Sequence, residues 1–315
     1  MLDNTTQCSV TVYDHSGYTM ENSERSVVVE RAFTIGVNST SDYTIMRTPG
    51  NDRELTVGFL FTEGIVDSVN DIMIMGECPD LPHSIVVKTA DTSAAPVNRN
   101  LVVNSSCGLC GRADMDALLE RLGRVTEGIK VPYSLIYDIP ERVMPEQSLY
   151  KATGATHAAA LFDEDGEIFV VREDIGRHNA MDKVIGAAML ARRPTSQMGV
   201  FLSGRVSLEL IVKAARAGLS LLVSVGAPTD TAVKMADKLG ITLTCFARKS
   251  GFAIYSHPER IVFTRVLGVG ASIFPCYAHQ EQIVFAGTTG EGACASPYLR
   301  ADSMALAPQK LTRHL

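Results

Sequence analysis

The stretch GVFLSGRVSLELIVKAARAGLSLLVSVGAPTDTAVKMADKLGITLTCFARKSG, residues 199–251, decides the fold. Short apolar runs, GVFL (199–202), SLLVSV (220–225) and ITLTCF (241–246), alternate with segments whose apolar residues recur at helical spacing. Those are Leu208, Ile211, Val212 and Ala215, then Ala232, Val233, Ala236 and Leu239. Thr229 stands where a helix begins and Gly240 where it stops. The same unit occurs upstream, where IFVV (168–171) precedes Met181, Val184, Ile185 and Ala188. The alternation predicts an α/β domain over residues 151–262, a largely parallel sheet with helices packed on it.

Upstream the rhythm changes. Residues 1–127 read as a smaller β-rich domain, with strand-like runs SVVVERAF (26–33), DYTIMR (42–47), HSIVVKT (83–89) and NLVVN (100–104) between turn residues. One helix interrupts them: Pro49-Gly50 makes a turn, Asn51 caps with Glu54 three residues on, and Leu55, Phe59 and Thr62 share a face. Residues 128–150, with Pro132, Pro140 and Pro145, read as a linker, and 263–315 as an appended tail without periodicity.

A chain of 315 residues, 46% of them apolar, can bury a full core. Its formal net charge of -6 argues against nucleic acid or a membrane surface as a general partner. The N-terminus, Met1 to Val12, has no basic region followed by an apolar run, and no stretch approaches the roughly 20 apolar residues that cross a bilayer. A cytoplasmic location is expected.

Seven cysteines, an odd number, are too scattered for a disulfide scaffold. Cys8, Cys78, Cys245, Cys276 and Cys294 stand alone and read as small buried hydrophobes or inert thiols. Cys107 and Cys110 differ, because SSCGLCG is followed by Met115, Leu118, Leu119 and Leu122 at helical spacing. A helix N-terminus offers partial positive charge and free N–H groups, which favour thiolate over thiol. The pair therefore reads as a reactive, sulfur-handling site. Half of a zinc site is the rival reading, although no second CxxC or suitably spaced His completes it. A thioredoxin-type site belongs to a strand-to-helix turn, whereas this pair follows a β-rich half. A zinc deaminase needs H-x-E and P-C-x-x-C; Ser106 precedes Cys107, and His157 and His178 are followed two residues later by Ala159 and Ala180.

The strand-to-helix turns carry the remaining chemistry. REDIGRHNAMDK (172–183) presents Arg172, Glu173, Asp174, Arg177, His178 and Asn179; SGR (203–205) and GAPTD (226–230) follow. In a parallel sheet these turns share one edge, where Arg177, Arg205 and helix N-termini would face an anion such as phosphate. FARKSG (Phe246, Ala247, Arg248, Lys249, Ser250, Gly251) ends the fourth strand at that edge. Helix caps and solvated ion pairs are the alternative account of the same charges.

IMRTPG (45–50), GFLFTEGI (58–65), NSSCGLCG (104–111), GATHAAAL (154–161), REDIGRHNAMDKVIG (172–186), SGRVSLELIVKAARAG (203–218) and FAR through YSHPER (246–260) together resemble the formate dehydrogenase accessory sulfurtransferases, the FdhD sulfur carrier family. The resemblance runs from about residue 25 to residue 260. It implies a cytidine deaminase-like three-layer α/β domain, a dimer, and a sulfur relay. In that relay a cysteine desulfurase loads the carrier, which passes sulfur to the metal of a bis(molybdopterin guanine dinucleotide) Mo or W cofactor, activating the formate dehydrogenase catalytic subunit. By position in the motifs, Cys107 would bear the persulfide beside Cys110, and FARKSG would contact the guanine dinucleotide cofactor. A non-catalytic cofactor chaperone and a thiol-disulfide oxidoreductase remain alternatives.

Overall fold

The computed structural model describes residues 4–79, 81–90, 122–263 and 284–286. The chain opens as a hairpin of β1 (Thr5–Asp14) and β2 (Thr19–Val28). A four-stranded sheet follows, built from β3 (Arg31–Val37), β4 (Ser41–Arg47), β5 (Ile72–Glu77) and β6 (Ser84–Thr89) in the order β4-β3-β6-β5. SVVVERAF is thus split between β2 and β3, while NLVVN lies outside the described residues. Alternate residues Phe33, Ile35, Val37, Tyr43, Ile45, Ile85 and Val87 point inward. They pack on Leu55, Phe59 and Leu60 of α1 (Asp52–Thr62), the expected helix. Its start differs from expectation: Asn51 is left-handed and makes no side-chain cap. Glu54 reaches Arg172 instead, at 2.5 and 2.7 Å.

The second half contains β7 (Val131–Pro132), α2 (Tyr133–Val143), α3 (Ser148–Thr153), β8 (His157–Phe162), β9 (Ile168–Asp174), α4 (Arg177–Leu190), β10 (Gly199–Leu202), α5 (Leu208–Arg216), β11 (Leu221–Ser224), α6 (Asp230–Leu239), β12 (Thr242–Arg248), β13 (Gly251–Ser256), β14 (Ile261–Val262) and β15 (Val284–Ala286). Seven of these strands form one sheet in the order β15-β13-β12-β11-β10-β8-β9. Only β10, β11 and β12 run parallel. The expectation of a largely parallel sheet is corrected on both flanks. Tight turns join β8 to β9 and β12 to β13, and a tight turn can only return the chain antiparallel. In the first, the Asp163 carboxylate accepts from the amides of Asp165 and Glu167. Within the expected tail, Val284–Ala286 add the edge strand beside β13.

Helices cover both faces. On one, α4, α5 and α6 bury Met181, Val184, Ile185, Ile211, Met235 and Leu239 against Leu161, Val200, Leu222 and Leu243. Thr229 caps α6 through the Ala232 amide and Gly240 ends it left-handed, as the sequence predicts. On the other face, α2 lays Leu135, Ile136, Ile139 and Val143 on Phe162, Phe201, Leu221 and Val223. Residues 128–150 are therefore a core layer and not a linker. Their prolines mislead because Pro132 precedes the helix and Pro140 is accommodated inside it.

The two halves meet where α1 crosses α4. A Cβ on Gly58 would lie 1.8 Å from the Asp182 carbonyl oxygen, and one on Gly186 would lie 1.9 Å from that of Glu54. Only glycine permits that backbone approach. Beside the crossing, Lys213 donates to Asp182 (2.9 and 3.0 Å) and to Thr62 (2.7 Å), tying α5 to both helices.

Candidate functional site

Because β9 is antiparallel to β8, and β8 to β10, the strands β9 to β12 all end at one edge of the sheet. The expected convergence of turns therefore holds in a mixed sheet. β8 begins at the same edge, which adds His157. Two of the turns lie against each other: a Cβ on Gly226 would come within 2.6 Å of the Gly204 carbonyl group. Ser224 locks them, its hydroxyl donating to the Gly204 oxygen (2.6 Å) and accepting from the Gly226 amide (3.0 Å).

The charges of residues 172–183 divide into two groups. Asp174, fully buried, accepts from Lys183 (2.8 Å) and the Thr48 amide (3.2 Å) on one oxygen. Its other oxygen accepts from the Gly176 amide and the Asn179 side chain, both at 2.9 Å. Lys183 completes its shell with the carbonyls of Thr48 and Glu173. Glu173 accepts from the amides of Leu149 and Tyr150 at the start of α3 and from Thr156. Arg172, Glu173, Asp174 and Asn179 thus hold structure.

Arg177 and His178 face the edge differently. The His178 Nε2 donates to Glu209 at 2.9 Å, with Ser207 at 3.3 Å, and this bond holds the Glu209 carboxyl below its ordinary range. The Arg177 Nε is buried without a hydrogen-bond partner among the described residues. Arg205 is exposed. His157 lies beside Gly204, its Nδ1 3.0 Å from where a Cβ there would stand, with the Arg177 side chain on the same spot. Burial, then the charges of Arg177 and Arg205, push the His157 pKa down from 6.5, so the imidazole is neutral at pH 7. A neutral ring within the field of two arginines can hydrogen-bond an anion that they attract.

FARKSG forms the end of β12 and its turn into β13. The strand loses register between Cys245 and Arg248, and Phe246 is left-handed with φ 56°. Cys245 and Ala247, which a regular strand would place on one face, enter opposite cores. The Phe246 ring is 40% exposed at the edge. Arg248 and Ser250 are also exposed, and Lys249 forms a surface pair with Glu141 at 2.9 Å. A cleft of about 340 Å³ opens at the end of α2, lined by Met144, Gln147, Tyr150, His157, Phe201 and Ser203, and no residue of FARKSG lines it.

Cys107 and Cys110, the expected reactive pair, lie outside the described residues, as do Cys276 and Cys294. Cys245 is inert, its thiol pushed up to about 12 by burial; Cys8 and Cys78 are free thiols. Ser207, Glu209 and Gln147 were not singled out from the sequence, since nothing local marks a Glu near a helix start or a Gln in a proline-rich stretch as part of a site.

The profile of the FdhD/NarQ family matches residues 28–262. The chain belongs to that family. A protein of Sulfolobus acidocaldarius named sulfur carrier protein FdhD is 39% identical over 240 residues, covering 76% of this chain and 92% of the relative. A Streptomyces coelicolor protein of the same name is 38% identical over 259 residues, covering 78% and 92%. The crystal structure of a putative formate dehydrogenase accessory protein from Desulfotalea psychrophila superposes with a TM-score of 0.66 at 22% identity, over 82% of this chain and 99% of that one. That likeness supports the mixed α/β fold. The family match takes in every turn of the sheet edge and leaves out nearly all of the β1–β2 hairpin. Among the described residues, no helix is long and apolar enough to cross a membrane.

Proposed function

We propose that the protein is a sulfur carrier that supplies the sulfido ligand of a formate dehydrogenase metal cofactor. The observation that carries this reading is the single sheet edge along which Arg177, Arg205, Arg248, Lys249 and the exposed Phe246 are spread, in a chain of a family whose members are named sulfur carriers. Cations with an aromatic ring suit a nucleotide's phosphates and base. The acceptor on this reading is a bis(molybdopterin guanine dinucleotide) cofactor of Mo or W, which is the substrate of the transfer, with FARKSG (246–251) against its guanine nucleotide end.

In the loading step the Cys107 thiolate attacks the terminal sulfur of a cysteine desulfurase persulfide, and the desulfurase thiolate departs. In delivery the sulfane sulfur bonds to the metal, which supplies two electrons, and the Cys107 thiolate leaves. Cys110 stands three residues away to assist release. A homodimer in the cytoplasm and a cytidine deaminase-like architecture for the three-layer domain belong to the same proposal, the latter supported by parallel β10–β12 between two helical layers.

Incubation of the protein with a cysteine desulfurase and cysteine tests the relay. Mass spectrometry is expected to find a gain of about 32 Da, one sulfur atom, on Cys107. No such adduct would overturn it. A non-catalytic cofactor chaperone would use the same edge, and formate dehydrogenase activity restored by Cys107→Ala would favour that instead.

A further inference from the structure

The β1–β2 hairpin lies almost wholly outside the family match, and among the described residues from Thr6 to Asp14 the backbone of β1 pairs with β2 alone. A two-stranded ribbon by itself is marginal in water. Its outer row of N–H and C=O groups is a template for another strand, so protein sheets blunt such edges with short strands, bulges, charges or covering side chains. The other sheet edges of this chain show those devices. β15 is three residues long (Val284–Ala286). β5 is broken by a register shift between Ile72 and Ile74. β9 shifts register against β8 and folds the Arg172 guanidinium onto its own Val171 oxygen at 2.8 Å. Asn179 covers the Met46 oxygen of β4 at 2.8 Å. Within the hairpin, β2 carries Glu21, Glu24 and Arg25 and lies against α3.

β1 has none of them. Its ten residues, Thr5–Asp14, keep unbroken register with β2 and include no proline, lysine or arginine. Thr6, Val10, Thr11, Val12 and Tyr13 are β-branched or aromatic and favour an extended strand. Gln7, Cys8, Ser9 and Thr11 are exposed along it, and Asp14, at the far end, is its only charge. That charge pattern selects the partner. A strand without charges gives a foreign peptide no charge to read, whereas it can lie beside a copy of itself without repulsion. Antiparallel self-pairing about the middle of the strand also holds the two Asp14 carboxylates at opposite ends of about 33 Å of ribbon. Parallel pairing would set them side by side.

We infer that β1 is a self-association edge, which pairs antiparallel with β1 of a second copy of this chain about a two-fold axis and makes a continuous sheet β2-β1-β1-β2. Such a contact uses the same surface on both copies and closes on itself. It turns two marginal ribbons into one four-stranded sheet. Tyr13, Tyr18 and Met20, which stand 52%, 76% and 74% exposed near the hairpin tip, then lie beside the root of the second copy's hairpin. The inference gives the homodimer of the proposed function a surface, and it requires neither sulfur transfer nor a cofactor.

Analytical ultracentrifugation of the full chain tests this, with thermal melting as a check on folding. Ser9→Glu sets like charges across the pairing, beside Glu24 of each hairpin, and is expected to halve the wild-type mass. Ser9→Lys added in equal amount is expected to restore that mass, because opposite charges then face one another across the edge. A second measurement needs no variant. Pairing centred on Ser9 or Val10 brings the two exposed Cys8 thiols within about 15 Å of each other. A bifunctional maleimide is expected to link Cys8 to Cys8 in the wild-type chain, located by mass spectrometry of the linked peptides, and the link is expected to be lost in Ser9→Glu. A monomeric wild-type chain, a Ser9→Glu protein of unchanged mass, a mixture that stays at the lower mass, or no Cys8 link overturns the inference. The Cys107 sulfur adduct is expected in wild type and Ser9→Glu alike. A normal adduct with unchanged mass sinks this inference alone, and a missing adduct with halved mass sinks the relay alone.

Discussion

Residues 172–183 and 246–251 bring dense charge to the same sheet edge, and the protein treats them in opposite ways. In the first, Asp174 and Lys183 are buried together and each is fully hydrogen-bonded, with Thr48 of the β-rich half completing the set. In the second, Arg248, Lys249 and Ser250 stand in solvent, and the surface pair to Glu141 is the only ion pair of the turn among the described residues. The first set fixes where the edge lies; the second leaves cations in solvent, where the proposed function seats the acceptor. Inside the first stretch, Arg177 differs from its neighbours in having its Nε buried without a hydrogen-bond partner among the described residues, while His178 pairs with Glu209.

The largest expected effect follows from breaking the buried set. Lys183→Met leaves Asp174 as a buried carboxylate without its cation, which costs about 3–5 kcal/mol. A urea or thermal unfolding curve is expected to register that loss. Asp174→Asn in addition removes the stranded charge and recovers part of it. A Lys183→Met protein as stable as wild type would mean that the pair is not the structural half of the comparison.

This division explains which parts of the molecule the sequence could reveal. The helices carrying Met181, Ile211 and Leu239 follow from periodicity, and the Thr229 cap and Gly240 stop from local chemistry. The shared edge was legible because each turn follows a recognisable strand. Long-range contacts were not: nothing near Asp174 in sequence announces Thr48, and nothing at Glu54 announces Arg172, so Glu54 was read as a capping partner. The helix over Tyr133–Val143 was obscured by Pro140, although Leu135, Ile136, Ile139 and Val143 follow a helical period.

A smaller effect separates the two regions by pH. His157 faces Arg177 and His178 from α4, Arg205 from the turn before α5, and Asp174 from β9; burial and the two arginines outweigh Asp174 and hold its pKa below 6.5. As pH falls through about 6.5, the unfolded chain takes up a proton that the folded protein resists. More protons are then bound when unfolded, so stability is lost in that window as pH drops. His157→Gln cannot titrate there, and its melting temperature is expected to fall less than that of wild type between about pH 7 and pH 5.5. Parallel curves for the two proteins would remove His157 from the cationic side of the edge.

The smallest effect on stability is expected at FARKSG, and its smallness is informative. Lys249 is exposed and its partner Glu141 is half-exposed, with side-chain exposures of 74% and 52%, so solvent screens the pair. Lys249→Ala is expected to leave the melting curve unchanged. A cation kept at a ligand edge without a structural role should instead show itself in binding: GDP affinity is expected to fall in the variant. The salt dependence of binding should become shallower too, because one fewer cation meets the phosphates. Guanosine, which has no phosphate, should bind the variant and wild type alike. If guanosine binding falls as much as GDP binding, Lys249 shapes the turn and does not meet phosphate, and the contrast between the fixed and free halves of the edge would fail at its most exposed point.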